Sequence, residues 1–364
     1  MKKKWAIIFI SVFLSVMVLI GGLMIIFDPY FHYHAPLKGV SYTIQDAVYK
    51  NDGICKNWEY ETIVTGTSMT ASVSTKQVDE IFGTTTVRAT FFGEGFRRIN
   101  DNLESALDHN KNLKRVIRCV DPIWFVCDWD FLEYGSYDAY PTYLYDEDWT
   151  NDFSYIYNLD TIKNDLIPMI RNTINGVPSA TFDGEIGYDK GGVEKVKASY
   201  KRIPKKIKEI TPDETQFMME CLERNIEKNL VSTIKEHPDV TFIIYFPPYE
   251  MCIWDNLMQE GSGVVSRRFD MEEYVIEQLL ECDNVELYSF LDCFDIVSDM
   301  NNYTDDLHYT AEVSEYIINT IGVTKEHRVT KENYKQYLES TRDFYLNYDY
   351  DTAFKDFDYV QEEK

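Results

Sequence analysis

Short apolar runs rich in β-branched residues recur along the chain and alternate with stretches of helical periodicity. Residues 98–107 and 311–321 repeat their apolar positions at helical spacing, and Ser74-x-x-Gln77 has the form of a capping box. Short buried strands separated by helices indicate right-handed βαβ crossovers. The sequence therefore predicts an α/β fold on a mostly parallel five-stranded sheet. The predicted strands are residues 62–65, 86–92, 115–120, 240–246 and 285–289.

The N-terminal end has a different pattern. Lysines at positions 2–4 precede an uncharged run from residue 5 to residue 27, which as a helix is about 34 Å long at about 1.5 Å per residue and spans a bilayer's hydrocarbon core. The lysines before this run and Asp28 after it favour a cytoplasmic N-terminus. A cleaved signal peptide is the competing interpretation, but residues 25–36 lack the small-x-small site at which it would end.

The sequence pattern and the length of one connection divide the chain into five predicted segments. We predict a cytoplasmic tail at 1–4, a single transmembrane anchor at 5–27 in the cell membrane, and an extracytoplasmic juxtamembrane segment at 28–60. The α/β domain is assigned to 61–322. The connection at 121–239 is too long for a simple crossover, so we predict a helical insertion on the strand-end side, where α/β folds bind ligands. Residues 323–364 form an acidic, Tyr-rich C-terminal segment.

Composition excludes some partners. The 36 Lys and Arg face 61 Asp and Glu, and the formal net charge of −25 makes nucleic acid an unsuitable partner. The seven cysteines are an odd number without a CxxC pair, which is the pattern of neither a disulfide framework nor a zinc site. Cys119 and Cys127 are the pair that could form a bridge.

Five of the six histidines show at most a weak metal-ligand pattern. His32 and His34 form an HxH pair, which offers two ligands without a third and favours a packing or interface role. His109, His237 and His327 lie in polar helical or connecting stretches without a chemical pattern. No three-ligand cluster has a recognisable spacing, so we predict no metal and no cofactor.

Groups suited to nucleophilic catalysis follow the first and last predicted strands. Ser68 follows the first strand, and His308 precedes the last helix with Asp305 three residues upstream. An Asp-x-x-His turn can bring the carboxylate to the imidazole Nδ1, whereas Asp306 is the less suitable alternative. Carboxyl ends of parallel strands meet at one sheet edge, so His308 can take the Ser68 proton. The competing interpretation of Ser68 is a helix-capping hydroxyl.

Gly93 follows the second predicted strand, in FFGEGF. A glycine lets a backbone N–H approach a reacting carbonyl without obstruction by a Cβ atom. The N–H groups of Gly93 and Ser68 are therefore the candidate oxyanion hole.

The G-x-S after the first strand, the Gly after the second and the C-terminal D-x-x-H resemble the SGNH/GDSL hydrolase superfamily. The resemblance is strongest to its membrane-anchored, extracytoplasmic members in Gram-positive bacteria. More distant relatives are the D-alanyl transfer protein of teichoic acid modification and the O-acetyltransferases of exported polysaccharides. Stretches that carry the resemblance run through nearly the whole chain: FDPYFHYHAP, NDGICKNWEYETIVTGTSMT, YPTYLYDEDWTNDFSYIYN, FPPYEMCIWD and NNYTDDLHYT.

The resemblance implies a three-layer α/β/α, flavodoxin-like fold and ester chemistry without a cofactor. It makes Ser68 the nucleophile, His308 the base, Asp305 its partner and Gly93 an oxyanion donor. The implied function is a serine esterase or O-acyltransferase acting on cell-envelope glycan or another acylated wall polymer.

The sequence departs from the superfamily pattern at two positions. Thr67 replaces the Asp that follows the first Gly, and Asp121 stands after the third strand where an Asn is expected. An ionised Asp121 cannot donate to an oxyanion, so the third oxyanion donor is absent, is supplied from the insertion, or is a protonated Asp121. The alternative function is therefore a catalytically weak or inactive module on the same fold, which binds envelope polysaccharide or an envelope-assembly membrane protein.

Overall fold

A computed structural model describes residues 2–132, 140–185, 190–202, 207 and 209–358. Met1 of the predicted tail, residues 133–139, 186–189, 203–206 and 208 of the predicted insertion, and residues 359–364 of the predicted C-terminal segment lie outside the described residues. The chain divides into two compact units, one of Met1–Glu59, Ser105–Lys111 and Tyr134–Glu185, the other of Tyr60–Glu104, Asn112–Glu133 and Ile186–Lys364. The domain boundaries expected from the sequence stay a prediction.

The first unit is built of helices. Its α-helices, together with the last turn of α4 (Phe96–His109), are α1 (Lys2–Phe27), α2 (Ala47–Asn57), α5 (Phe153–Ile156), α6 (Leu159–Thr161) and α7 (Ile167–Ile174). Among the described residues, α1 is the helix long and apolar enough to cross a membrane, and its most apolar stretch has a mean hydropathy of 2.7. Only 11% of its most apolar window is buried, unlike a core helix. The structure therefore contains a candidate anchor, whose orientation stays a prediction.

The Asp28 carboxylate organises the turn that follows α1. It accepts hydrogen bonds from the backbone N–H groups of His32, Tyr33 and His34 and from the Tyr155 hydroxyl. Burial raises the pKa of Asp28, although these donors oppose the shift. One buried carboxylate thus holds the turn of the aromatic segment that follows the apolar helix, through hydrogen bonds to its backbone.

The second unit contains a mixed six-stranded sheet. Its strand order is β2-β1-β3-β4-β5-β6, with all neighbours parallel except the antiparallel pair β5 and β6. The predicted five strands are present, but the prediction of a five-stranded sheet is wrong. The sixth strand pairs through only two residues, too few for an alternation of apolar and polar positions to reveal it. The strands are β1 (Thr62–Gly66), β2 (Thr86–Thr90), β3 (Arg115–Cys119), β4 (Thr241–Phe246), β5 (Val285–Ser289) and β6 (Arg328–Val329).

Helices connect these strands, and local signals in the sequence explain where several begin. Ser74 caps α3 by accepting from Gln77 N at 3.1 Å, while the Gln77 side chain donates to Glu315 O and does not close the capping box. Thr211 and Glu214 do form a complete capping box at α9. The helices of this unit are α3 (Thr75–Phe82), the first part of α4, α8 (Val193–Ser199), α9 (Pro212–Ile226), α10 (Ser232–Glu236), α11 (Met251–Glu260), α12 (Ser262–Leu280), α13 (Phe294–Val297), α14 (Ala311–Asn319), α15 (Tyr334–Asn347) and α16 (Tyr350–Ala353).

The C-terminal region packs on the body of the second unit. Helix α15 lies against α12, and the Tyr345 ring stacks on Trp254 with 3.9 Å between ring centroids. The Tyr345 hydroxyl donates to Leu291 O at 2.7 Å. Residues beyond 323 therefore contribute both a strand and buried aromatic side chains to the same core.

Candidate active site

The chain turns sharply at the carboxyl end of β1. Gly66 has φ +155°, and a Cβ atom there would lie 2.8 Å from both Cys119 Cβ and Thr70 Cγ2. Only glycine fits this close approach without displacing its neighbours. The turn leads directly into Ser68, the first residue of a short 3-10 helix.

Thr67, not Ser68, caps this 3-10 helix. The Thr67 Oγ1 atom accepts from Met69 N at 3.3 Å. The hydroxyl that caps the start of this helix therefore belongs to Thr67, and the interpretation of Ser68 as the capping residue does not apply. Ser68 is half-buried, and its hydroxyl lies next to the His308 imidazole.

The loop before α14 is held as a small closed turn. Tyr303 and Tyr309 form an antiparallel bridge, and Thr304 N donates to His308 O at 2.8 Å. Within the turn, Asp305 Oδ1 accepts from His308 N at 2.7 Å. These backbone hydrogen bonds therefore hold both ends of the Asp-x-x-His motif in place, independently of the contact between the two side chains.

Two tyrosine hydroxyls fasten this turn to the strand ends. Tyr303 donates to Pro248 O at 2.8 Å, just beyond β4. Tyr309 donates to Met69 O, in the 3-10 helix that contains Ser68. Both rings are fully buried, so these bonds are shielded from water.

The three predicted polar side chains form a continuous hydrogen-bonded chain. His308 Nε2 lies 2.7 Å from Ser68 Oγ, and His308 Nδ1 lies 2.8 Å from Asp305 Oδ2. A tautomer with the proton on Nδ1 donates to the carboxylate and accepts the serine proton on Nε2. Burial opposes ionisation of Asp305, but the side-chain and backbone hydrogen bonds from His308 outweigh it and lower the pKa.

Gly93 lies at the same sheet edge. Residues Gly66 and Thr90 are paired in the register of β1 and β2, and Phe91 N donates to Gly66 O at 2.9 Å. Gly93 follows this pair in the turn after β2, with φ +69°, a conformation that favours glycine. Its role as an oxyanion donor stays a prediction that rests on this placement.

The two departures from the superfamily pattern contact each other. Thr67 Oγ1 donates to Asp121 Oδ2 at 2.7 Å, and Tyr249 donates to Asp121 Oδ1 at 2.9 Å. Burial raises the pKa of Asp121 to about 6, although both donors oppose the shift. Sequence reasoning identified Thr67 and Asp121 separately, but it missed their contact and the part of Tyr249, which no local pattern indicated.

The remaining sequence candidates do not join this site. His32 Nε2 lies 3.1 Å from Asp152 Oδ1, whereas His34 Nε2 lies 3.1 Å from Ile25 O, so the HxH pair has separate partners. None of the seven cysteines, all of which lie in the described part of the chain, forms a disulfide, so Cys119 and Cys127 are not bridged.

Comparisons with known proteins add little to this geometry. No protein-family model matches the chain, and no curated protein matches it. Among the solved structures, a chain from Streptococcus pneumonia that is provisionally described as a platelet activating factor matches with a TM-score of 0.36 and 12% sequence identity. The match covers 81% of this chain and 92% of that chain. A likeness at this level carries no argument about activity.

Proposed function

We propose that the chain is a membrane-anchored, extracytoplasmic serine esterase or O-acyltransferase of the SGNH type, with a three-layer α/β/α fold. Its substrates are ester-linked acyl groups on cell-envelope glycans or other wall polymers. The observation that supports the proposal is the pair of hydrogen bonds from Ser68 through His308 to Asp305, at 2.7 and 2.8 Å. A hydroxyl, an imidazole and a carboxylate in this order activate a nucleophile on several unrelated folds.

In the first half-reaction, Ser68 Oγ attacks the ester carbonyl while His308 Nε2 takes its proton. The N–H groups of Ser68 and Gly93 stabilise the negative oxygen of the tetrahedral intermediate. Asp305 stabilises the imidazolium and holds its orientation. The C–O bond of the ester then breaks, and His308 returns the proton to the leaving alkoxide.

In the second half-reaction, His308 removes a proton from the attacking hydroxyl and later returns it to Ser68. Attack by water releases a carboxylic acid, which makes the protein an esterase. Attack by a sugar hydroxyl forms a new ester, which makes it a transferase. Both directions use the same residues and require no cofactor.

The topology of the proposal is supported by the sequence around α1. The lysines at positions 2–4 favour a cytoplasmic start, and α1 exposes most of its apolar side chains between Trp5 and Leu19. With this topology the proposed ester chemistry takes place on the outer side of the membrane, next to the cell envelope.

The experiment that tests the proposal is fluorophosphonate labelling of the full-length protein in detergent micelles. Ser68→Ala and His308→Ala should both abolish labelling, because the first removes the nucleophile and the second its base. The matched control is Ser72→Ala, a neighbouring buried serine that is only 1% exposed, which should label as the parent does. A well-folded parent that does not label would contradict the proposal.

A second candidate function is a non-catalytic module that binds envelope polysaccharide or an envelope-assembly membrane protein. It is favoured by Asp121, whose two oxygens accept hydrogen bonds from Thr67 and Tyr249 and offer no donor to an oxyanion. Complementation separates the two functions. Full rescue of a deletion strain by Ser68→Ala would support the binding module, whereas no rescue by a stably produced variant would support the enzyme.

A further inference from the structure

A second group of chemically reactive side chains lies where β5 meets β6. The antiparallel register pairs Tyr288 with Arg328, and Ser289 N donates to His327 O at 3.0 Å. His327 therefore lies beside the carboxyl end of β5, next to the turn that contains Asp292 and Cys293. The sequence indicated only a polar connector at His327, because Asp292 and Cys293 are more than thirty residues earlier in the chain.

The side chains of these residues converge. His327 Nδ1 lies 2.7 Å from Asp292 Oδ1, and His327 Nε2 lies 3.5 Å from Cys293 Sγ. One ligand atom from each residue lies within 4.8 Å of the others. The Tyr316 hydroxyl, from α14, lies 3.0 Å from His327 Nε2.

The backbone at His327 is held in an unusual conformation. Its φ is +57°, in the left-handed region that costs a non-glycine residue about 1–2 kcal/mol. Such a conformation persists only where surrounding contacts determine it, and here the bond to Ser289 and the bond to Asp292 do so. The result is an imidazole whose Nε2 faces a cysteine sulfur.

This spacing matches that of metal ligands. Zinc–sulfur and zinc–nitrogen bonds of about 2.3 and 2.0 Å at a tetrahedral angle separate the two ligand atoms by about 3.5 Å. The separation of Cys293 Sγ from His327 Nε2 is 3.5 Å. In addition, a metal-binding histidine commonly donates its second ring N–H to a carboxylate, as His327 does to Asp292.

We propose that Cys293, His327 and Asp292 form a binding site for a divalent transition-metal ion of the zinc class. Cys293 Sγ and His327 Nε2 are the principal ligands. Asp292 does not contact the ion but orients the imidazole by accepting the Nδ1–H hydrogen bond, and water completes the coordination. The ion displaces the Tyr316 hydroxyl from the Nε2 lone pair.

The surroundings are suited to an ion with an open coordination position. The site faces a cavity of about 410 Å³, lined by Asp292, Cys293 and His327 together with Phe294, Asp295, Ile296 and Tyr316. Cys293 is only 7% exposed, which suits a ligand better than a nucleophile that must reach a polymer. The side chains of Asp292 and His327 are 29% and 22% exposed, so an ion can enter from the cavity.

The experiment is a Co²⁺ titration of the reduced, chelator-treated full-length protein in detergent, followed by competition with Zn²⁺. The parent should bind one equivalent and show a near-ultraviolet charge-transfer band from a thiolate to cobalt, which Zn²⁺ abolishes. Cys293→Ser should lose the band. His327→Gln should weaken Zn²⁺ binding by at least about 10-fold, the lower bound even for outer-shell changes.

The matched control is Cys282→Ser, since Cys282 is similarly buried at 6% exposed and belongs to the same unit. This variant should keep the band. Absence of the band in a folded parent, or its persistence in Cys293→Ser, would overturn the proposal.

A second measurement does not depend on the variants folding. In the parent, Zn²⁺ should slow alkylation of Cys293, followed by mass spectrometry, and should leave the alkylation of Cys282 unchanged. Equal alkylation rates of Cys293 with and without Zn²⁺ would overturn the proposal. The proposal is independent of the Ser68 chemistry, so Ser68→Ala should bind the ion as the parent does.

Discussion

Asp121→Asn is a sharp test of the electrostatics beneath the candidate active site. The Asp121 carboxylate is 1% exposed and accepts from Thr67 at 2.7 Å and from Tyr249 at 2.9 Å. Burial raises its pKa from 3.8 to about 6. The folded protein therefore binds an additional proton between pH 4 and pH 6, and its free energy of unfolding falls as the pH rises through this range.

The magnitude follows from the same values. A pKa raised from 3.8 to about 6 corresponds to a loss of about 3 kcal/mol at neutral pH, at about 1.4 kcal/mol for each pH unit. An amide removes this charge but replaces one acceptor oxygen with a donor, which costs about 1 kcal/mol. We expect Asp121→Asn to stabilise the protein by about 2 kcal/mol at pH 8, or about 3 °C in Tm.

The assay is thermal unfolding of the full-length protein in detergent, followed by tryptophan fluorescence at pH 8 and pH 4.5. The gain should disappear at pH 4.5, where Asp121 is protonated in the parent. Asp128→Asn is the control of opposite sign, because the hydrogen bond from Arg224 lowers the pKa of Asp128, and this variant should not gain stability at pH 8. A Tm for Asp121→Asn below that of the parent at pH 8 would refute the reasoning.

Three further variants test the geometry of the site. Gly66→Ala should destabilise the protein by about 2–4 kcal/mol, from the clash and the strained φ together, and should reduce fluorophosphonate labelling; unchanged unfolding and labelling would contradict this. Asp305→Asn should slow labelling about 10³- to 10⁴-fold with Tm nearly unchanged, because the amide no longer holds the His308 tautomer; parental labelling rates would contradict it. Tyr309→Phe leaves Met69 O without its donor, so Tm should fall by the equivalent of about 1–3 kcal/mol, and an unchanged Tm would show that this bond is not needed.

The sequence predicted the five longer strands to within two residues at either end. The first was expected at 62–65 and is Thr62–Gly66, and the fifth was expected at 285–289 and is Val285–Ser289. These strands are buried, so their apolar runs are a local property of the chain. By contrast, β6 pairs through two residues and leaves no such run, which is why the sixth strand was missed.

The sequence alone also determined which residues are candidates for the chemistry. A serine after the first strand and an Asp-x-x-His before the last helix follow from residue types and spacing, because parallel strand ends share an edge. Only the tertiary structure decided that Thr67 caps the 3-10 helix and that the Asp121 carboxylate accepts hydrogen bonds from two hydroxyls.

The metal-ligand cluster was decided by tertiary structure in the same way. Cys293 and His327 are separated along the chain by α13 and α14, and their contact arises from antiparallel pairing of β5 with β6. Periodicity and spacing report burial and short-range geometry, whereas contacts between distant residues depend on strand register and on the path of each connection. For this reason the sequence could indicate one constellation, with both halves at predictable strand ends, and was silent about the other.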